Sequence, residues 1–387
     1  MSWIHLAIEE PSNREKDNVM NDRFRAKIRR HQRQTIPVQP ARKIPPPVDV
    51  PKTPTPTPTP TIPKSPINPT RPQAKLAFTT CINEKFIPGA EGLILSIRRF
   101  HPTADIVVFC EEEYPEFKVF ADLHAVSIQY FDHIKDWAFP LIYHDPLFQN
   151  NSNHFYHKDF KITPDMPRSD HHLNRITGFG IHHLHPMNVK AYCTGYCICV
   201  KNYDRVVHID SDAFLLANID TIFEKHQELD TVVCWEDGGD NTGHLEIFGI
   251  DKPPNYDQRD YGMNAGIVFY VNGPNLKEMI KEFMFFIDSC YHYTVASPNG
   301  DQGILRNIIA KHHILKRIHF YRYERTNWNP TWRLADDLVL EDGKWINNRN
   351  GQRQFIWHGA GAAKVWTGGY SAPGVNDAWK WLGGRYA

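Results

Sequence analysis

The stretch Tyr203–Phe223, YDRVVHIDSDAFLLANIDTIF, constrains this chain more than any other. Its approach, Arg205 to Ile209, reads as a short strand, and it ends abruptly in acid at Asp210 and Asp212. No Pro or Gly interrupts Asp204 to Phe223. Ligands of open α/β sheets sit just beyond the carboxyl ends of the strands, which is where these carboxylates fall. Residues two apart on extended backbone point the same way. At a strand end the chain is turning, so one Asp can reach a ligand directly and the other can come from the turn. Two hard carboxylate oxygens suit Mg²⁺ or Mn²⁺, ions usually shared with substrate phosphates. Alone, D-x-D is also what a solvated turn looks like. Three motifs further along the chain need the same ligand and tell against that reading.

Strands and helices alternate around this stretch. KLAFTTCI, from Lys75, reads as a first buried strand, and PGAEGLILSIRRFHP as a helix with Leu93, Ile94, Ile97 and Phe100 on one face. DIVVFCE and SIQYF are further strands, Asn188 to Val200 is helical in pattern, and TVVCWED is a strand. YGMNAGIVFYVNG reads as a small-residue turn and then a strand, LKEMIKEFMFFIDSCYHY and GDQGILRNIIAKH as helices, and RIHFYRYE as a late strand. FIWHGAGAAKVWTGG reads as a loop. The alternation predicts an α/β fold built on a parallel sheet.

Other parts fall outside this pattern. Residues 1–72 form a basic arm followed by a Pro/Thr-rich linker with TPTPTPTP at its centre, extended and without a core of its own. Residues 73–372 are the expected domain, with an insertion at about 140–187, and residues 373–387 a C-terminal tail. The insertion is rich in histidine: His144, His154, His157, His171, His172, His182, His183 and His185. Their irregular spacing favours surface loop histidines over a metal site.

The 387 residues are 41% hydrophobic and 12% aromatic, enough for a full core. Formal charge is zero but uneven: residues 1–72 hold 13 Lys and Arg against 6 Asp and Glu, and the rest 31 against 38. An acidic body argues against nucleic acid as a partner. The basic arm offers at most a weak peripheral contact with anionic membrane. The seven cysteines are odd in number and mostly lie in apolar runs, which fits reduced, buried thiols. Cys193, Cys197 and Cys199 match no common zinc spacing. No signal peptide and no run of about 20 apolar residues is found, so a cytoplasmic location is expected.

Three motifs accompany the D-x-D stretch. His358, Gly361, Lys364 and Trp366 form H-x-x-G-x-x-K-x-W. A neutral imidazole is a third metal ligand, a glycine admits close approach of a phosphate, and a lysine is a point charge for diphosphate. Asn264-Ala265-Gly266 joins an amide that both donates and accepts to small neighbours. Gly300-Asp301-Gln302-Gly303 sets a carboxylate beside an amide, a way to hold a hexose. Each motif also fits ordinary turn chemistry.

In this order the motifs resemble those of glycosyltransferase family 8, the glycogenin-like and lipooligosaccharide-galactosyltransferase-like retaining enzymes of GT-A fold. The resemblance runs from about Lys75 to Trp366. It implies a Rossmann-like, mixed, mostly parallel sheet flanked by helices, and transfer of a hexose from a UDP-sugar to a sugar, glycan, lipid or protein acceptor. It implies that Asp210, Asp212 and His358 hold Mn²⁺ or Mg²⁺, and that Phe78, Thr79 and Thr80 line the uracil. Gly361 and Lys364 would wrap the diphosphate, and Asn264, Ala265, Asp301 and Gln302 would meet the donor sugar. Lys190 matches the basic residue on the helix before the D-x-D strand, although the interval to Asp210 is a few residues longer here. The His358 loop is expected to close over the donor. A scaffold that keeps the fold without turnover is the alternative. A sugar-1-phosphate nucleotidyltransferase is another, but it needs a glycine-rich phosphate loop where TTCINEKFIPGAEG stands.

Overall fold

The computed structural model describes residues 74–143, 145, 186–236, 258–289, 300–323, 338–348, 351–359, 364–368 and 372–386. The expectations for the basic arm and linker, for nearly all of the His-rich insertion, for Cys290 and for Gly361 lie outside the described residues.

Eleven strands are described: β1 Leu76–Ile82, β2 Asp105–Cys110, β3 Val126–Tyr130, β4 Arg205–Ile209, β5 Ala213–Leu215, β6 Thr231–Glu236, β7 Met263–Val271, β8 His319–Tyr323, β9 Leu338–Glu341, β10 Lys344–Asn347 and β11 Ile356–His358. The helices are α1 Ile87–Phe100, α2 Pro115–Leu123, α3 Ile134–Tyr143, α4 Pro186–Gly195, α5 Asp220–Lys225, α6 Pro274–Ser289, α7 Gly300–Ile314 and α8 Pro373–Trp381.

The central sheet has seven strands in the order β3-β2-β1-β4-β7-β6-β8. β1 runs parallel to β2 and β4, β2 to β3, and β6 to β8. β7 alone runs antiparallel, between β4 and β6. The fold is therefore the expected mixed, mostly parallel α/β sheet with helices on its faces. Alternation along the strands divides the core. Val206 of β4 packs with α3, α4, α6 and α7, and Val207 and Ile209 pack with α1 and α2. A third cluster gathers Phe214, Trp345, Trp357, Trp366 and Trp379. Residues 373–387, expected to trail the domain, carry α8, whose Trp379 is buried in that cluster. Arg385 beyond it pairs with buried Glu91 of α1 at 2.5 Å.

Two local expectations are corrected. Asn264-Ala265-Gly266 is not a turn but part of strand β7, opposite a register shift between Val233 and Trp235 of β6. The segment at His358 is not wholly a loop, because Ile356–His358 pairs with β5. Among the described cysteines, Cys110, Cys193, Cys197, Cys199 and Cys234 are free thiols. Burial pushes Cys110, Cys197 and Cys199 each up to about 12, which keeps them as inert thiols. Among the described residues, no helix is long and apolar enough to cross a membrane.

Candidate active site

The site is assembled at the carboxyl end of β4. Asp210 follows the strand directly, and its N–H donates to Gly266 O of β7 at 2.7 Å. The turn then closes by Ala213 N–H donating to Asp210 O, which sets Asp212 just before β5. β5 pairs antiparallel with β11, with His358 opposite Ala213. The next amide, Gly359 N–H, donates to Asp212 O at 2.9 Å. Strand pairing, rather than closure of a loop, therefore carries His358 to the two aspartates.

One ligand atom from each of Asp210, Asp212 and His358 falls within 4.8 Å of the others. His358 Nε2 lies 3.3 Å from Asp212 Oδ1 and 3.8 Å from Asp210 Oδ2. Two carboxylates and an imidazole are a donor set suited to Mn²⁺ or Mg²⁺. Gly266 forms the floor: a Cβ there would overlap His358 Cε1 and stand 2.6 Å from Asp210 Oδ2. Gly89 of α1 likewise admits the Ser211 carbonyl and the Trp366 ring, which hold the D-x-D turn from the other side.

Two lysines meet these acids. Lys190 of α4 reaches Asp210 Oδ1 at 2.8 Å and Oδ2 at 2.9 Å. The longer interval between Lys190 and Asp210 includes a π-helical turn, Tyr196–Val200, in which Lys201 N–H donates to Tyr196 O. Lys364 donates to Asp212 Oδ2 and, at 3.0 Å, to Gly359 O. Burial alone would raise the Asp210 carboxyl, but Lys190, His208 and His358 together hold it well below the usual range. Burial and the neighbouring Asp210 push Asp212 upward, and His358 with Lys364 more than offset them. Burial works against the Lys190 ammonium, yet Asp210 and Asp301 keep it charged and above the ordinary lysine range.

Asp301 and Gln302 occupy the first turn of α7. Gln302 Oε1 accepts from Ala265 N–H at 2.9 Å, and Asn264 Oδ1 accepts from Gly266 N–H at 2.9 Å. Asp301 is buried, and neither carboxylate oxygen has a side-chain hydrogen-bond partner among the described residues. Burial and the charge of Asp210 push its carboxyl up to about 6, partly countered by Lys190. Thr79 and Thr80 are buried on β1, each with its hydroxyl oxygen unpartnered among the described residues. Phe78 is not brought to the cluster. It lies in the core between the sheet and α1, its ring centroid 5.2 Å from that of His101.

With this geometry, the chain can be set beside known proteins. No family model matches it, and no curated protein matches it. Solved structures match over most of the chain. WbbM, a bifunctional glycosyltransferase in its apo form, is 15% identical at a TM-score of 0.41, over 78% of this chain and 48% of that one. The galactosyltransferase LgtC, in complex with donor and acceptor sugar analogues, is 13% identical at 0.44, over 80% and 96%. Mouse xyloside xylosyltransferase 1 in its apo form is 14% identical at 0.41, over 74% and 98%. The chain thus spans about half the length of WbbM.

Sequence reasoning missed one polar residue of the site. His208 is buried on β4, and its Nε2 lies 3.3 Å from Asp210 Oδ1. The signal was present as H-x-D, since residues two apart on a strand share a face.

Proposed function

We propose that the chain is a metal-dependent retaining glycosyltransferase of GT-A architecture that moves a hexose from a UDP-sugar to an acceptor. The observation that carries the reading is the meeting of Asp210, Asp212 and His358 at the carboxyl end of β4, with Lys190 and Lys364 against the two acids. Asp210, Asp212 and His358 fit Mn²⁺ or Mg²⁺, and such an ion, when bound, neutralises charge building on the leaving diphosphate. Lys364, which meets Asp212, is assigned to a diphosphate oxygen on the same edge. Thr79 and Thr80, on β1 beside the last residues of β4, are assigned to the uracil, with Phe78 supporting the strand from the core, and Gly361 to the diphosphate.

Gln302 is tied to the Ala265 amide and Asn264 to the Gly266 amide, and we assign Asn264, Ala265 and Gln302 to the sugar hydroxyls. Asp301 is assigned to the positive charge that develops at the anomeric carbon. Lys190 holds Asp210 and moderates Asp301 at once. The acceptor then attacks from the face that the leaving phosphate vacates, which retains configuration.

Release of UDP from a panel of UDP-sugars, with Mn²⁺ and with chelator, tests the reading. We expect Mn²⁺-dependent release from one or two UDP-hexoses. Binding of UDP without turnover of any donor leaves a sugar-binding scaffold. Pyrophosphate formed from UTP and a sugar 1-phosphate makes it a nucleotidyltransferase. Failure to bind UDP in Mn²⁺ overturns the reading.

A further inference from the structure

β4 is apolar apart from Arg205 and His208. Val206, Val207 and Ile209 are all buried, and His208 is 2% exposed among them. An imidazole withdrawn from water costs free energy unless its polar atoms are used. In the register of the sheet its neighbours are Thr79 on β1 and Val268 on β7. Its Nδ1 has no hydrogen-bond partner among the described residues. Its Nε2 has one, Asp210 Oδ1 at 3.3 Å.

A neutral imidazole carries one N–H, and the other nitrogen is a bare acceptor. Leaving an acceptor without a donor is the cheaper omission when the N–H has a carboxylate to meet, because a hydrogen bond to a charged acceptor is the stronger kind. The geometry therefore selects the tautomer with the proton on Nε2. The donated bond then falls on Oδ1, whereas Lys190 reaches both oxygens, Oδ1 at 2.8 Å and Oδ2 at 2.9 Å. Oδ2 is the oxygen that faces His358 at 3.8 Å, over the floor left open by Gly266.

We infer that His208 is a positioning residue for the metal centre: Lys190 holds both oxygens of Asp210, and the Nε2–H of His208 singles out Oδ1 and so leaves Oδ2 facing Asp212 and His358. The inference rests on the reading of those three residues as metal ligands. Partners that hold a ligating carboxylate typically set metal affinity by 10–100-fold. A rotating carboxylate would still carry its charge but would present Oδ2 only part of the time.

The test is Mn²⁺ binding to the full chain without donor, followed by the electron paramagnetic resonance signal of free Mn²⁺. His208→Phe keeps a ring and removes the donor. His208→Gln restores an amide N–H near the place of Nε2. We expect Mn²⁺ affinity to fall about 10–100-fold in H208F and to recover to within about threefold of the native chain in H208Q. Unchanged affinity in H208F overturns the inference, as does H208Q binding as weakly as H208F with both variants folded. Should H208F not fold, the ¹⁵N-histidine spectrum of the native chain decides, with H208Q identifying the resonance. A proton on Nε2 supports the inference, and a proton on Nδ1 ends it. If the native chain itself fails to bind Mn²⁺, the fault lies in the metal reading and not in His208.

Discussion

Glu282 and Asp210 are both carboxylates withdrawn from water, and each is held by one lysine and one histidine. Glu282 of α6 is 3% exposed and divides its oxygens cleanly. Oε1 takes Lys311 and Oε2 takes His312 Nε2 at 2.7 Å, both from α7. Burial pushes its carboxyl upward, but His312 and Lys311 outweigh that and leave it below the usual range. Asp210 also meets a lysine and a histidine, but its side chain is 22% exposed and one oxygen also faces His358. A second acid, Asp212, meets the same Nε2 of that imidazole and raises the electrostatic cost. The Glu282 cluster fastens two helices and is complete. The Asp210 cluster gathers two like charges at an open edge, an arrangement that gains most from a bound cation. The residue types are the same, so what separates a structural ion cluster from a candidate site is the second acid and the access to solvent.

The comparison is broken most forcefully at Asp212. Replacement by Ala should lower donor turnover by at least about 100-fold, since contacts to charge that develops in the transition state are worth several kcal/mol. Folding should survive, because Lys364 is left at a solvent-reaching site. Full turnover by Asp212→Ala in chelator would show that the two clusters do not differ in kind. Glu282→Ala is the opposite experiment. It strands Lys311 and His312 at 11% and 1% exposure, and removing one partner of a buried pair costs about 3–5 kcal/mol. Urea unfolding should register that loss, while Mn²⁺ affinity stays as in the native chain. A changed affinity would mean that α6 and α7 transmit to the site through Asp301.

The division between these clusters was half legible in the sequence. The alternating segments gave the layers and the order of elements, because Val- and Ile-rich runs with acid or glycine boundaries have few other readings. Asp210 and Asp212 were legible because an apolar strand runs into them and three motifs further along the chain need the same ligand, whereas D-x-D alone also fits a solvated turn. His358 was legible as a residue type but not as a strand residue. Ile356–His358 is too short to show a period, and its partner strand lies some 140 positions earlier. Asn264 to Gly266 read as a turn because Asn and Gly are poor strand residues. The structure uses Gly266 in a strand because only there can His358 and Asp210 approach the backbone, a case of the site overriding local propensity. The helix α8 was missed because an Ala-Pro-Gly opening resembles a chain end, whereas Pro at the start of a helix loses no intrahelical bond.

The smallest effect sharpens the comparison at Asp301, a third buried acid that has a lysine charge near it but no side-chain hydrogen-bond partner among the described residues. Its carboxyl is pushed up to about 6 in the folded chain, against 3.8 for the unperturbed group. Between those values the folded state holds a proton that the unfolded state has lost. Stability from this group is therefore greatest in acid and falls as pH rises toward and through about 6, the reverse of the lowered Glu282. One unit of pKa is worth 1.36 kcal/mol, so the loss from pH 5 to pH 7.5 is about 1.4 kcal/mol. Asp301→Asn removes the titration. Measured by urea unfolding in chelator, the stability of the native chain relative to D301N should fall by about that amount across this window. Taking the difference between the two chains cancels the titration of Glu91 and the other acids. A difference that stays flat with pH would show that Asp301 is already ionised and partnered, and would place it with Glu282 as a structural acid rather than with Asp210.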